Sequence, residues 1–236
     1  MIRVDGLSLK IHGRTLLEDI SFTLEEGRVY ALLGENGSGK TTLMRCLSSF
    51  HPAYGGSILF SDRQLRDCTR NERAHLHSLL PQTPASLDMG VEYMLSLASG
   101  AAQVLSSFGL GHLLSRRMNT LSGGERQMVY LAFALARDAM LYLMDEPEAS
   151  LDARFRQKVE SSMRRLADAG RIVLASFHDI NRALAVADGI LVLSEGRLVF
   201  SGSVSGFLDS GIGESVFALS RRTLLDDDGS PVTVFF

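Results

Sequence analysis

Residues 28–41 read RVYALLGENGSGKT: an unbroken apolar run, a glycine-rich turn, then Lys40 and Thr41. The run suits a strand buried on both faces. Beyond the turn, Leu43, Leu47 and Phe50 fall at i, i+4 and i+7, a helical stripe. Gly34 to Thr41 fits G-x-x-x-x-G-K-[ST] in the strand, loop and helix setting that this motif needs. Gly34, Gly37 and Gly39 let backbone N–H groups turn inward around phosphate oxygens, where any Cβ would obstruct the approach. Glu35, Asn36, Ser38 and Thr42 complete the expected cradle. Lys40 supplies a point charge for β- and γ-phosphates, and Thr41 offers its hydroxyl to Mg²⁺. ATP with Mg²⁺ is the expected bound pair.

Working outward, the same alternation of strand and helix recurs. LYLMD (141–145) reads as a second buried strand, and a helix from Asp152 to Ala169 carries Phe155, Val159, Met163 and Leu166 inward before Gly170. RIVLAS and GILVLS supply a third and a fourth strand, so a parallel sheet covered on both faces is expected. Upstream, IRVDGLSLKIHG and LEDISFTLEEG alternate apolar and polar residues between turn signals, the pattern of an antiparallel β-layer, and SILF (57–60) reads as another short strand. From about Met89 to Arg137 the pattern is helical, with Met128, Leu131, Ala132 and Leu135 on one face of a helix that begins near Gly123. GILVLSEGRLVFSG reads as a hairpin turning at Glu195-Gly196, and the tail as a small strand pair turning at Asp228-Gly229.

In a parallel α/β sheet, ligands collect at the carboxyl ends of strands, which places Asp145 and Glu146 of LYLMDEP beside the cradle. Asp145 is expected to hold Mg²⁺ through water, and Glu146 to orient or deprotonate the attacking water of an in-line phosphoryl transfer. His178 follows RIVLAS, where an imidazole can bond a γ-phosphate and the water. Gln82 follows another predicted strand and is a candidate metal contact. In LSGGERQ (121–127), Ser122, Gly123, Gly124 and Glu125 open a helix whose free N–H groups and dipole make a second anion site, in a chain that already has one.

Composition sets the frame. The 236 residues are 45% hydrophobic and 22% charged, ordinary for a globular protein, and the net charge of -3 offers no global basic field for nucleic acid. Apolar runs are too short for a bilayer, which needs about 20 residues, and MIRVDGLSLK lacks the pattern of a signal peptide, so a cytoplasmic protein is expected. Cys46 and Cys68 have no metal-type spacing, and Cys46 reads as a buried reduced thiol.

Taken together, GENGSGKT, Gln82, LSGGERQ, LYLMDEP, the stretch Ser150-Leu151-Asp152 and His178 resemble, in order and spacing, the nucleotide-binding subunits of ABC transporters. The resemblance covers essentially the whole chain. It implies one ABC ATPase domain over residues 1–236. Residues 1–81 and 138–236 would form a P-loop NTPase core of mixed, mainly parallel sheet with an N-terminal antiparallel β-subdomain, and residues 82–137 an inserted α-helical subdomain with the signature helix. It also implies a head-to-tail dimer with a second copy or a homologous subunit. Each site would then join Lys40, Thr41, Gln82, Asp145, Glu146 and His178 of one chain to Ser122 and Gly124 of the other. Further implied partners are membrane permease subunits, contacted near Gln82 to Met89, and indirectly a substrate-binding protein, with the chain peripheral at the cytoplasmic face of a bacterial inner membrane.

LLPQTP and SFHDINRAL look like importers of iron-chelate, haem or cobalamin-type substrates; the alternatives are another ABC exporter or importer, or a non-transport ATPase. The family usually stacks an aromatic residue, most often Tyr, on adenine; the matching position here is His12, whose imidazole offers a smaller face. The segment from Gln82 to Leu121 is also shorter than in many iron-chelate members and nearer to the cobalamin type. Intact Glu146 and His178 oppose a non-hydrolysing regulatory module.

Overall fold

The computed structural model describes residues 1–149, 151–225 and 231–236. Strands β1 (Ile2–Ile11) and β2 (Arg14–Leu24) pair antiparallel around a turn at His12 and Gly13, both with positive φ. Strand β3 (Val29–Leu33) is buried at all five positions. Its side chains divide between two cores: Val29, Ala31 and Leu33 join one, Tyr30 and Leu32 the other. This is why an unbroken apolar run, not an alternating one, encodes the strand.

The chain then enters α1 (Lys40–Leu47), which stops three residues before Phe50. Ser49 turns left-handed at φ 59°, and the N–H groups of Phe50 and His51 both donate to the Arg45 carbonyl, closing the helix end. The expected stripe is therefore corrected at its last member: Leu43 and Leu47 are buried, while Phe50 is 68% exposed. Strands β4 (Gly55–Phe60) and β5 (Arg63–Gln64) complete a four-stranded antiparallel sheet in the order β2-β1-β4-β5.

Helix α2 (Arg70–Leu76), held by a Thr69–Glu72 capping box, leads into β6 (His77–Leu80). The stretch read as helical from Met89 to Arg137 is broken into α3 (Val91–Ser96), α4 (Ala101–Ser107) and α5 (Gly123–Leu135), with 3₁₀ turns at Gly111–Ser115 and Met118–Thr120. Gly100 and Gly109, with φ of 84° and 77°, supply two of the breaks. Strand β7 (Leu141–Met144) precedes α6 (Ala153–Asp168), which Asp152 caps at Phe155 N and which ends before Gly170 at φ 79°.

Strand β8 (Ile172–Ser176), α7 (Ile180–Val186), β9 (Gly189–Ser194) and β10 (Arg197–Ser203) follow. The β9–β10 turn is Glu195-Gly196 with φ of 48° and 77°, the twist that suits a two-residue hairpin. Helices α8 (Val204–Ser210) and α9 (Ile212–Phe217) and the pair β11 (Arg221–Leu225) and β12 (Pro231–Phe235) close the chain. The turn expected at Asp228-Gly229, and Ser150 of the Ser150-Leu151-Asp152 stretch, lie outside the described residues.

The central sheet runs β10-β9-β3-β8-β7-β6, parallel except for β10. One face packs on the helices and the other on α1 and the antiparallel sheet. Because β3, β6, β7 and β8 are parallel, their carboxyl ends share one edge, from which the phosphate loop, Gln82, Asp145-Glu146 and His178 all depart. Both cysteines are free and buried, and burial pushes the Cys46 thiol up to about 12.

Candidate functional site

The loop between β3 and α1 exists only because of its glycines. A Cβ on Gly34 (φ 150°) would stand 2.3 Å from the Leu193 carbonyl oxygen, and one on Gly39 (φ 108°) 2.8 Å from Leu17 Cδ2. Gly37 meets no neighbour but turns at φ 82°. Lys40 folds back into this loop and donates from Nζ to the carbonyls of Gly34 at 2.7 Å and Glu35 at 3.1 Å. Burial holds the Lys40 ammonium below the ordinary lysine range, while Glu146 and Asp145 pull it back. Asn36, Gly37, Gly39, Lys40, Thr41 and Thr42 line an open cavity of about 190 Å³, with Gln82 and Glu146 on its wall. Glu35 and Ser38 belong to the same loop but not to that lining, with Ser38 N donating to the Glu35 carbonyl at 3.2 Å.

Asp145 and Glu146, adjacent at the end of β7, have different surroundings. Asp145 is 3% exposed and accepts from Thr41 Oγ1 and Ser176 Oγ, both at 2.7 Å. Its backbone N–H donates to the Leu80 carbonyl at 2.9 Å, so β6 sets its height. Glu146 occupies the left-handed region at φ 49°, a costly conformation for a non-glycine residue. Its N–H donates to Ser176 Oγ at 2.8 Å, one carboxylate oxygen accepts from Gln82 Nε2 at 2.7 Å, and the other lies 2.7 Å from His178 Nε2. Thus Lys40, Thr41, Gln82, Asp145, Glu146 and His178, from four strand ends, form one cluster.

Ser176 is the residue that sequence reading missed. It links Asp145 to the backbone of Glu146 and is fully buried. The available signal was one hydroxyl at the end of an otherwise apolar strand, beside which a buried polar group needs a partner.

Ser122 and Glu125 form a different arrangement. Ser122 Oγ accepts from Glu125 N at 3.2 Å and Glu125 Oε2 from Ser122 N at 2.8 Å, a capping box that starts α5. These bonds to Ser122 hold the Glu125 carboxyl below the usual range, with Arg116 adding to the effect. Gly123 and Gly124 occupy the first turn, where N–H groups have no intrahelical acceptor. Among the described residues, this helix start shares no hydrogen bond with the Lys40 cluster and lines no part of its cavity. His12 is also apart, exposed on the β1–β2 turn. Four residues on, the Leu16 carbonyl lies 3.3 Å from a Cβ built on Gly39, so β2 does run along the phosphate loop.

The Thr41 hydroxyl, Asp145 carboxylate and Gln82 amide are the hard oxygen-bearing groups that Mg²⁺ takes, and Thr41 and Asp145 already touch. A loop in which Gly34 and Gly39 leave no room for a Cβ, and whose lysine bonds backbone carbonyls, fits a phosphate chain.

Residues 17–149 match the profile of the family described as "ABC transporter". The hemin import ATP-binding protein HmuV of Agrobacterium fabrum is 36% identical over 221 residues, covering 86% of this chain and 85% of that protein. The protein of the same name from Rhizobium johnstonii is 32% identical over 254 residues, covering 98% and 96%. Among solved structures, a metal-chelate type ABC transporter in an inward-facing conformation superposes with a TM-score of 0.81 at 25% identity, covering 100% of this chain and 96% of that one.

Proposed function

This chain belongs to the ABC transporter family, as an ATP-binding subunit that hydrolyses ATP, and from that premise we propose that it drives import of haem or a related iron-chelate through a membrane permease. Subunits of this family work as dimers with permease components. The proposed pairing is head-to-tail with a second copy, at the cytoplasmic face of the membrane, with a substrate-binding protein delivering the solute. Residues 82–137 act as the helical subdomain, and Gln82 to Met89 as the permease contact. The relatives named for hemin import and the likeness to a metal-chelate type transporter support the substrate class.

One observation carries the proposed chemistry: the Glu146 carboxylate lies between Gln82 and His178, 2.7 Å from each, at the wall of the phosphate cavity. Glu146 takes the proton of the attacking water, and His178 holds that carboxylate and meets the γ-phosphate. Lys40 exchanges its carbonyl partners for the β- and γ-phosphates. Thr41, Gln82 and Asp145 would hold Mg²⁺, which would neutralise phosphate charge. The partner copy's Ser122 and Gly124 close over the γ-phosphate with the open end of α5, and His12 stacks on adenine.

The test is reconstitution with the native permease in vesicles. Haem delivered by the cognate binding protein should stimulate ATP turnover, whereas stimulation by a non-chelate solute and none by haem would sink the substrate assignment.

A further inference from the structure

The loop after Glu146 and the helix after His178 meet a second time, behind the carboxylate. Glu148 lies two residues beyond Glu146, and its Oε2 accepts from Arg182 Nε at 3.2 Å. The other end of the same guanidinium bonds Glu160 on α6. Side-chain exposure is 12% for Glu148, 33% for Arg182 and 24% for Glu160, so the inner pair is the drier one.

Arg182 sits in the first turn of α7, where Asp179 Oδ1 accepts from both Asn181 N and Arg182 N. That cap binds the His178-Asp179 segment to the helix, so holding Arg182 also holds His178. On the other side, Glu146 N–H bonds Ser176, and the following turn closes from Ala149 N to the Glu146 carbonyl at 3.0 Å. An open pocket of about 160 Å³ lies behind, lined by Glu146, Glu148, Arg156, Ser176, His178 and Arg182 among others. With space behind it and a left-handed backbone, Glu146 is not fixed by packing alone.

We infer that Arg182 and Glu148 are positioning residues for the hydrolysis proposed above, on which this inference rests: their ion pair fixes the Glu146 carboxylate against the His178 imidazole. Neutralising Glu148 leaves Arg182 paired with Glu160 but weakens the tie between the Glu146 loop and α7. A shift of about 1 Å at a reacting group is enough to cost turnover heavily. Glu160 bonds the other end of Arg182 and also lies beside Glu148, but among the described residues no hydrogen bond ties it to Glu146, Gln82 or His178.

The experiment compares Glu148→Gln, Glu160→Gln and Arg182→Lys in the purified full chain with ATP and Mg²⁺, measuring kcat, KM, nucleotide dissociation constant and melting temperature. Glu148→Gln should lower kcat by about tenfold with KM and nucleotide binding within about twofold, Glu160→Gln should change kcat by less than about twofold, and Arg182→Lys should fall between them. An unchanged kcat in Glu148→Gln overturns the inference, as does an equal loss in Glu148→Gln and Glu160→Gln that tracks melting temperature. If Glu146→Gln kept wild-type turnover, the underlying assignment of the base would fail instead, which separates the two ideas.

Discussion

The phosphate loop and the start of α5 are both glycine-containing helix starts, yet they stand in opposite states. Around Lys40 the chain is complete: the ammonium, Thr41, Asp145, Glu146, Gln82 and His178 are bonded to one another or to the loop within a single subunit. At Ser122 the helix start is closed by its own Glu125, which Arg116 also approaches, and among the described residues it shares no hydrogen bond with the Lys40 cluster. A helix end that satisfies its cap but keeps two first-turn donors is suited to an anion brought from elsewhere. The two regions are thus read as halves of a site that one chain cannot assemble, and the isolated monomer is expected to be a poor ATPase.

The largest effect should come from the complete half. Glu146→Gln keeps an acceptor for Gln82 but removes the base, and is expected to reduce ATP turnover by about 10²- to 10³-fold while retaining nucleotide binding. Gel filtration with ATP should then show a persistent dimer. Turnover near wild type would break the assignment of roles between the halves.

Ser122→Arg attacks the other half. It places a bulky cation at the open end of α5 and is expected to reduce turnover by about 10²-fold, since the second set of donors no longer closes on the phosphate. Binding of ATP to the monomer should be unchanged by calorimetry; a matching loss there would mean that Ser122 serves its own chain's cradle.

The smallest effect concerns the base of the nucleotide. His12→Ala should weaken ATP binding by about three- to tenfold, the scale of one small stacking contact. An unaltered dissociation constant removes His12 from the site and leaves adenine held by neither half.

Much of this was legible before any coordinates. β3, the glycine turn and α1 are encoded by consecutive residues, and the glycine positions are forced by local backbone angles that no other residue tolerates well. The acids after β7 and His178 after β8 could be placed at one edge because parallel strands align their carboxyl ends. Phe50 was misplaced for the opposite reason: a stripe at helical spacing does not reveal that Ser49 turns left-handed and ends α1. The helical pattern over 89–137 showed the helix that starts near Gly123 but not the breaks set by Gly100 and Gly109.

What local chemistry dictates, then, is the inventory: a phosphate loop, a capped second anion site, a run of strands and the residue types at their ends. Their mutual geometry belongs to packing. Ser176 bridges residues 30 and 31 positions away, and Arg182 reaches Glu148 and Glu160 at separations of 34 and 22. Such pairs depend on how sheet and helices stack, because a side chain finds a distant partner only after the elements between them have been brought together, and no periodicity along the chain records that distance.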